Sequence, residues 1–330
     1  MSVERVAVLG AGSWGTTLGL VLAGGGHDVQ LWDHDRAHLD AIDGARENRK
    51  FLPGIILPGG VKVQPELGRA LEGAGFAVYA VPSHALRSVG TQVARSSRGV
   101  LPVCATKGLE LETLKRATEI LSATLDDDAP VLLVGPSHAE EVSRGIPTSV
   151  VAASRDEERA RDVQRLFAGP RFRVYTNTDV VGCEYGAALK NVIAIAAGVC
   201  DGLGYGDNTK GALLTRGLAE ITRLGLALGG RRETFYGLTG MGDLIATAMS
   251  RHSRNRHVGE RLGRGESLEA VLGNMVMVAE GVNTARAARD VGRAQAVELP
   301  ITEQVCAILF DGVAPARALE ALMTRDLKSE

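Results

Sequence analysis

The chain has 330 residues, 45% of them hydrophobic, with 37 Lys and Arg against 39 Asp and Glu and a formal net charge of -2. That length suits two domains of about 100–200 residues each, and the near balance of charge excludes the broad basic footprint of a nucleic-acid-binding or polybasic membrane-surface protein. Cys104, Cys183, Cys200 and Cys306 stand at no metal or redox spacing, so dispersed thiols in a reducing compartment are expected, without disulfides.

The first run, RVAVLG (5–10), is strand-like and has no basic segment and cleavage site ahead of it, so no secretory signal is expected and a cytoplasmic location follows as the expectation. Further strands are expected at DVQLWD (28–33), FAVYAV (76–81), VLPVCAT (100–106), PVLLVG (130–135), TSVVAA (148–153) and FRVYTN (172–177). Amphipathic stretches such as TLKRATEILSATL and DEERARDVQRLFAG separate them. This alternation predicts an α/β, doubly wound, mostly parallel sheet with helices on both faces. After Asn177 the strand-like runs stop, and Ala/Leu/Gly-rich helical segments follow, broken at GLGYGDN, GLTGMGDL and SRNRH. The expected division is residues 1–178 as a Rossmann-type nucleotide-binding domain and 179–330 as an all-α substrate-binding and catalytic domain. The apolar stretch at 180–200 carries Glu184, Lys190 and Asn191, which argues for a buried helix and against a membrane span.

Strand one ends in GAGSWG, where Gly10, Gly12 and Gly15 match G-x-G-x-x-G and TTLGLVLAGGG continues as a helix. The first glycine permits the tight turn, the second admits a pyrophosphate close to the backbone, and the third lets helix pack on strand. The helix N-terminus supplies N–H groups to the phosphates. Strand two ends in LWDHDR, with Asp33 placed 23 residues after Gly10, close to the spacing of the acid that binds the ribose 2′-hydroxyl of NAD. His34 and Arg36 offer an alternative contact to the 2′-phosphate of NADP, and the choice between the two cofactors stays open here. Asp35 can cap the next helix. VPS (81–83), TKG (106–108) and GPS (135–137) also fall at carboxyl ends of strands, the edge along which open α/β sheets bind ligands. Lys107 is thereby placed to meet an anion.

Lys190 lies within EYGAALKNVIAIAAGVCDG. On a helix it shares a face with Gly186, Ala187, Ile193, Ala194 and Ala197. Glu184, the other charged residue between Val180 and Cys200, is not at ion-pair spacing from it. A central lysine on so small and apolar a face is expected to be an acid/base group, since a desolvated lysine titrates readily. SRNRH reads as a polar loop whose Ser253, Arg254, Asn255, Arg256 and His257 offer donors in a fork suited to phosphate, with a solvated face as the alternative reading. His34 and His38 stand four apart with no third ligand, and the His138 segment reads as a helix start with acids in its first turn. No metal is expected.

Taken together, GAGSWGTTL, VPS, TKG, GPS with AEE, GAALKNVIAIAAGVCDGLGYGDNTKGALLTRGLAE, GLTGMGDL and SRNR closely resemble the bacterial type of NAD(P)-dependent glycerol-3-phosphate dehydrogenase, from Gly10 to about Pro300. The resemblance implies reversible hydride transfer between NAD(P)H and dihydroxyacetone phosphate, giving sn-glycerol 3-phosphate for phospholipid synthesis. It implies Lys190 as proton donor and acceptor. Lys107, Gly135, Ser137, Asp243, Ser253, Arg254 and Asn255 match substrate positions of the family. Ser13, Trp14, His34, Lys107, Ala139, Arg254, Val278 and Glu280 match cofactor positions, and a homodimer is the family expectation. His138 stands where the motif often has Phe, Gly211 where Ala is common and Met241 where Leu is frequent. On this reading cationic neighbours such as Lys107 and Arg254 bring Lys190 towards its working pH. Two alternatives carry different demands. A related hydroxyacid or phosphogluconate-type dehydrogenase shares the two-domain plan but accounts less well for Lys190-Asn191 and SRNR, and a non-catalytic NAD(P) sensor has no need of Lys190, Asp243 and Arg254.

Overall fold

Eight strands form in the N-terminal part of the computed structural model, which describes residues 3–97 and 99–327. They are β1 (Arg5–Leu9), β2 (Asp28–Trp32), β3 (Val61–Val63), β4 (Phe76–Tyr79), β5 (Leu101–Cys104), β6 (Val131–Val134), β7 (Thr148–Ala153) and β8 (Phe172–Asn177). Seven coincide with the expected runs. β3 was not expected, because three residues, VKV, carry too little alternation to be read as a strand; it forms by pairing with β2, Leu31 opposite Val63.

The strands make one sheet in the order β3-β2-β1-β4-β5-β6-β7-β8. All neighbours are parallel except β6 and β7, which run antiparallel with Leu133 opposite Ala152. Val6, Val8, Val29, Leu31, Val78 and Val103 are fully buried, as strands covered on both faces require. At roughly 1.5–3 kcal/mol for each fully buried large aliphatic side chain, this central row is the main source of the sheet's stability. The strand order reverses direction at β1, between β2 and β4, which creates a crevice at the carboxyl ends where this class of sheet binds ligands.

By internal contacts the chain divides into Met1–Lys107 with Lys115–Val180, and Gly108–Leu114 with Val181–Glu330. The first segment of the second unit lies inside the part of the sequence expected to be α/β. Its Leu109 is 2% exposed and belongs to the helical core, so burial of one leucine draws this segment to the other unit.

The second unit is built on the helix Val180–Gly202. It is long and apolar enough to cross a membrane, yet 89% of its most apolar window is buried within the chain, as in the core helix of a globular unit. Its neighbour Arg254–Gly263 approaches so closely that an added Cβ at Gly198 would overlap the carbonyl of Arg256, and one at Gly259 the carbonyl of Ile195. Glycines on both helices therefore set the spacing at which Lys190 and the Ser253–Asn255 turn are presented. Elsewhere Glu220, 3% exposed, accepts hydrogen bonds from the N–H groups of Ile301 (2.8 Å) and Thr302 (2.9 Å) and from the Thr302 hydroxyl (2.6 Å). It thus serves the start of the helix Pro300–Phe310, where backbone donors have no partners of their own. Burial pushes its carboxyl above the ordinary range in spite of these bonds.

Candidate active site

In the α/β unit the glycine turn has the geometry its spacing predicts. Gly10 has φ +112°, a conformation side chains rarely adopt, and an added Cβ would lie 2.7 Å from the carbonyl oxygen of Ala80. A Cβ at Gly15 would overlap the carbonyl of Gly10, so this glycine seats the helix Ser13–Gly24 against the turn. Gly12 differs, because a Cβ there would meet no atom within 4 Å. Packing within the chain does not demand a glycine at this position, whereas close approach of a pyrophosphate does. Gly12 is the N-cap and offers no side-chain cap, which leaves the helix's first N–H groups directed outward. Ser13 and Trp14 occupy that first turn, and the Trp14 indole nitrogen is buried without an acceptor within the described residues. A donor-rich turn of this kind fits an acceptor-rich dinucleotide.

Asp33 carries the turn. Its Oδ2 accepts from Ala11 N–H at 2.7 Å and its Oδ1 from Asp35 N–H at 3.0 Å, with His34 Nδ1 2.9 Å from Oδ1. Oδ2 keeps capacity for one more donor, such as a ribose hydroxyl. The carbonyl of Ala11 is held from the other side by Asn48 Nδ2 at 2.8 Å and by His38 Nε2 at 3.0 Å, the latter requiring the Nε2–H tautomer. Asn48, fully buried, also donates to Thr16 Oγ1 at 2.8 Å. Asp35 caps the helix Arg36–Ala45 through His38 N–H, as its position suggested. Sequence reading passed over Asn48, since nothing near position 48 shows that it reaches a turn 37 residues earlier.

The ends of β5 and β6 gather three of the expected residues. Lys107 Nζ donates to Gly135 O at 3.0 Å, and Ser137 Oγ donates to the same carbonyl at 2.9 Å. Gly135 has φ +144°, and an added Cβ would lie 3.0 Å from the Cα of Val150. Beside them the Thr106 hydroxyl donates to Val81 O at 2.7 Å. Ala139, N-terminal in the short helix Ala139–Val142, accepts from Thr17 Oγ1 at 3.4 Å and so lies against the glycine-turn helix.

In the helical unit Lys190 is 5% exposed. Its Nζ lies 2.6 Å from Asp243 Oδ1 and 2.5 Å from Thr247 Oγ1. Within the helical unit this lysine thus meets a carboxylate and a hydroxyl. Asp243, 2% exposed, opens the helix Asp243–Met249 directly after the π-turn Leu238–Gly242. Thr247 follows one turn later and donates to Asp243 Oδ1 at 3.2 Å. Thr247 was missed, although its i, i+4 spacing from Asp243 was a legible signal.

SRNRH was expected as a loop and is instead the first turn of Arg254–Gly263, capped by Ser253 Oγ, which accepts from Arg256 N–H at 3.2 Å. The helical start arranges the three polar residues differently from a loop. Arg254 is exposed and donates from Nη1 to Val278 O at 2.9 Å. Asn255, 8% exposed, points inward, receiving Gly281 N–H at 2.9 Å and donating to Asn191 Oδ1 at 2.9 Å. It thereby ties the residue after Lys190 to the first turn of the helix Glu280–Ala294, the turn that also carries Glu280. Arg256, the next polar residue, pairs with Asp201 at 2.6 Å and is structural.

Comparison with known proteins adds a family. Residues 5–160 match the family model described as NAD-dependent glycerol-3-phosphate dehydrogenase N-terminus, and residues 179–320 match its C-terminus. Glycerol-3-phosphate dehydrogenase [NAD(P)+] of Pelotomaculum thermopropionicum is 52% identical, over 97% of this chain and 93% of its own length. The protein of the same name from Geobacter sulfurreducens is 51% identical, over 99% of each chain. The crystal structure of glycerol-3-phosphate dehydrogenase from Coxiella burnetii superimposes with a TM-score of 0.95 at 36% identity, covering 98% of this chain and 99% of that one.

Proposed function

The chain belongs to the NAD-dependent glycerol-3-phosphate dehydrogenase family, and we propose that its two polar clusters divide the work of this NAD(P)-dependent enzyme. The activity is the interconversion of dihydroxyacetone phosphate and sn-glycerol 3-phosphate with NAD(P)H. Gly10, Gly12, Gly15, Ser13 and Trp14 hold the dinucleotide phosphates at the open helix end, with Asp33 and His34 towards the adenosine ribose. Bound NAD(P)H supplies the hydride.

Lys190 delivers a proton to the oxygen of the reduced carbonyl and takes it back in the reverse direction. Asp243 and Thr247 orient the ammonium by accepting hydrogen bonds from it. General acid/base assistance of this kind contributes roughly 10² to 10⁴-fold. Arg254, Ser253 and Asn255 present guanidinium, hydroxyl and amide donors for the substrate phosphate. Lys107, Gly135 and Ser137 complete the polar contacts, while Ala139, Val278 and Glu280 belong to the cofactor side. The observation that carries this reading is a lysine only 5% exposed and held by hydrogen bonds to a carboxylate and a hydroxyl. A homodimer in the cytoplasm, supplying glycerol 3-phosphate for phospholipid synthesis, completes the proposal.

The test is the loss of NADH or NADPH absorbance on adding dihydroxyacetone phosphate, set against a panel of 2-keto acids, with 6-phosphogluconate assayed in the opposite direction for gain of absorbance from NAD+ or NADP+. Turnover confined to the triose phosphate is expected. Turnover of the acids alone would transfer the chain to the hydroxyacid dehydrogenases.

A further inference from the structure

An open cavity of about 750 Å³ at the carboxyl end of β3 is lined by Arg36, Gln64, Glu66, Gly68 and Arg69 among others. It adjoins the end of β2, since Gln64 N–H donates to Leu31 O at 2.9 Å, and β2 is the strand that leads into Asp33. Arg36 begins its helix and donates from Nη1 to Glu66 Oε1 at 3.2 Å, the two side chains being 67% and 61% exposed. Glu66 is the N-cap of the helix Leu67–Leu71, yet its side chain caps nothing. Its N–H donates to Gln64 Oε1 at 3.2 Å, which holds the backbone, while its carboxylate goes to Arg36. Helix capping therefore does not account for this carboxylate, and Asp33, the acid expected to discriminate between cofactors, is engaged by the backbone of the glycine turn.

We propose that Glu66 is the residue that sets the balance between NADH and NADPH. Its carboxylate occupies on Arg36 the position that a 2′-phosphate takes when NADPH binds. A guanidinium recognises carboxylate and phosphate with the same fork of donors, so the two anions compete for one cation. An exposed pair of this kind is weak and is displaced at little cost, which admits both cofactors. The remaining repulsion between carboxylate and phosphate holds NADPH below the affinity that Arg36 and Arg69 would otherwise give it. The inference rests on the reading that the glycine turn holds the dinucleotide.

The experiment is isothermal titration calorimetry of NADH and of NADPH with the wild-type chain, Glu66→Gln and Arg36→Ala, with circular dichroism to confirm folding. Glu66→Gln is expected to tighten NADPH by roughly 1.5- to fivefold, the range of one exposed charge pair, and to leave NADH unchanged. Arg36→Ala is expected to weaken NADPH by a similar factor without affecting NADH. An NADPH affinity unmoved by Glu66→Gln, or moved equally with that of NADH, would overturn the assignment while leaving the cofactor site in place. A wild-type chain that bound neither dinucleotide would overturn the cofactor reading and this inference with it.

Discussion

Replacing Lys190 by methionine removes the proposed proton donor, but the structure shows that it also changes a buried charge balance. Nζ lies 2.6 Å from Asp243 Oδ1, with the two side chains only 6% and 2% exposed. Removing one partner from such a pair costs about 3–5 kcal/mol, a large share of the stability of an ordinary domain. Lys190→Met alone therefore confounds catalysis with folding. Lys190→Met combined with Asp243→Asn removes both charges, and neutral replacement of a whole buried pair is often close to neutral for stability. Asp243→Asn alone serves as the reference, since Asp243 has a proposed role of its own. Relative to that reference the double variant should lose a further roughly 10² to 10⁴-fold in kcat, about 3–5 kcal/mol in activation free energy at 1.36 kcal/mol per decade. NADH binding, read by tryptophan quenching, should stay within about threefold, because uniform binding does not depend on a group used in the transition state. The assay is dihydroxyacetone phosphate-dependent oxidation of NADH, with thermal melts to confirm folding. A folded double variant that bound NADH and turned over within about tenfold of Asp243→Asn would refute Lys190 as the acid.

Three further outcomes are expected. Arg254→Ala should raise KM for dihydroxyacetone phosphate by roughly 10- to 100-fold, the loss of a charged hydrogen-bond donor worth about 1.5–3 kcal/mol, whereas an unchanged KM would remove Arg254 from the phosphate site. Asp33→Ala should weaken NADH and NADPH together in fluorescence titrations, because it releases the Ala11 N–H held at 2.7 Å; a change confined to one cofactor would mean that the ribose contact outweighs anchoring of the turn. Gly259→Ala should lower Tm clearly, since the added methyl overlaps the backbone of Ile195 and overpacking costs typically about 1–3 kcal/mol or more. A melt superimposable on the wild type would show that the Lys190 helix and its neighbour can separate freely.

The local parts of this protein were legible in its sequence. Alternating β-branched runs identified seven of the eight strands, because each is long enough for its own hydrophobic pattern to declare it. The glycine turn was equally plain, since Gly10 and Gly15 answer to contacts with nearby backbone, one of them within the turn itself. Lys190 stood out because a charge in a small apolar helix face is anomalous wherever the helix packs. The partners of these residues were a different matter. Asp243 is 53 residues from Lys190 and Asn48 is 37 from Ala11, and no periodicity connects positions whose distance is set by chain crossings. SRNRH looked like a loop because Ser253 has no acid or glutamine three residues on to mark a capping box, and its capping bond appears only in the folded turn. β3 needed β2 to exist as a strand, and Leu109 needed a core to bury it. Sequence alone determined the sheet, the nucleotide turn and the exceptional lysine, whose signals lie within one helix turn or strand. Tertiary structure decided which carboxylate meets that lysine and which side chains steady the turn, because such groups find each other only when backbone packing brings distant segments within hydrogen-bond range.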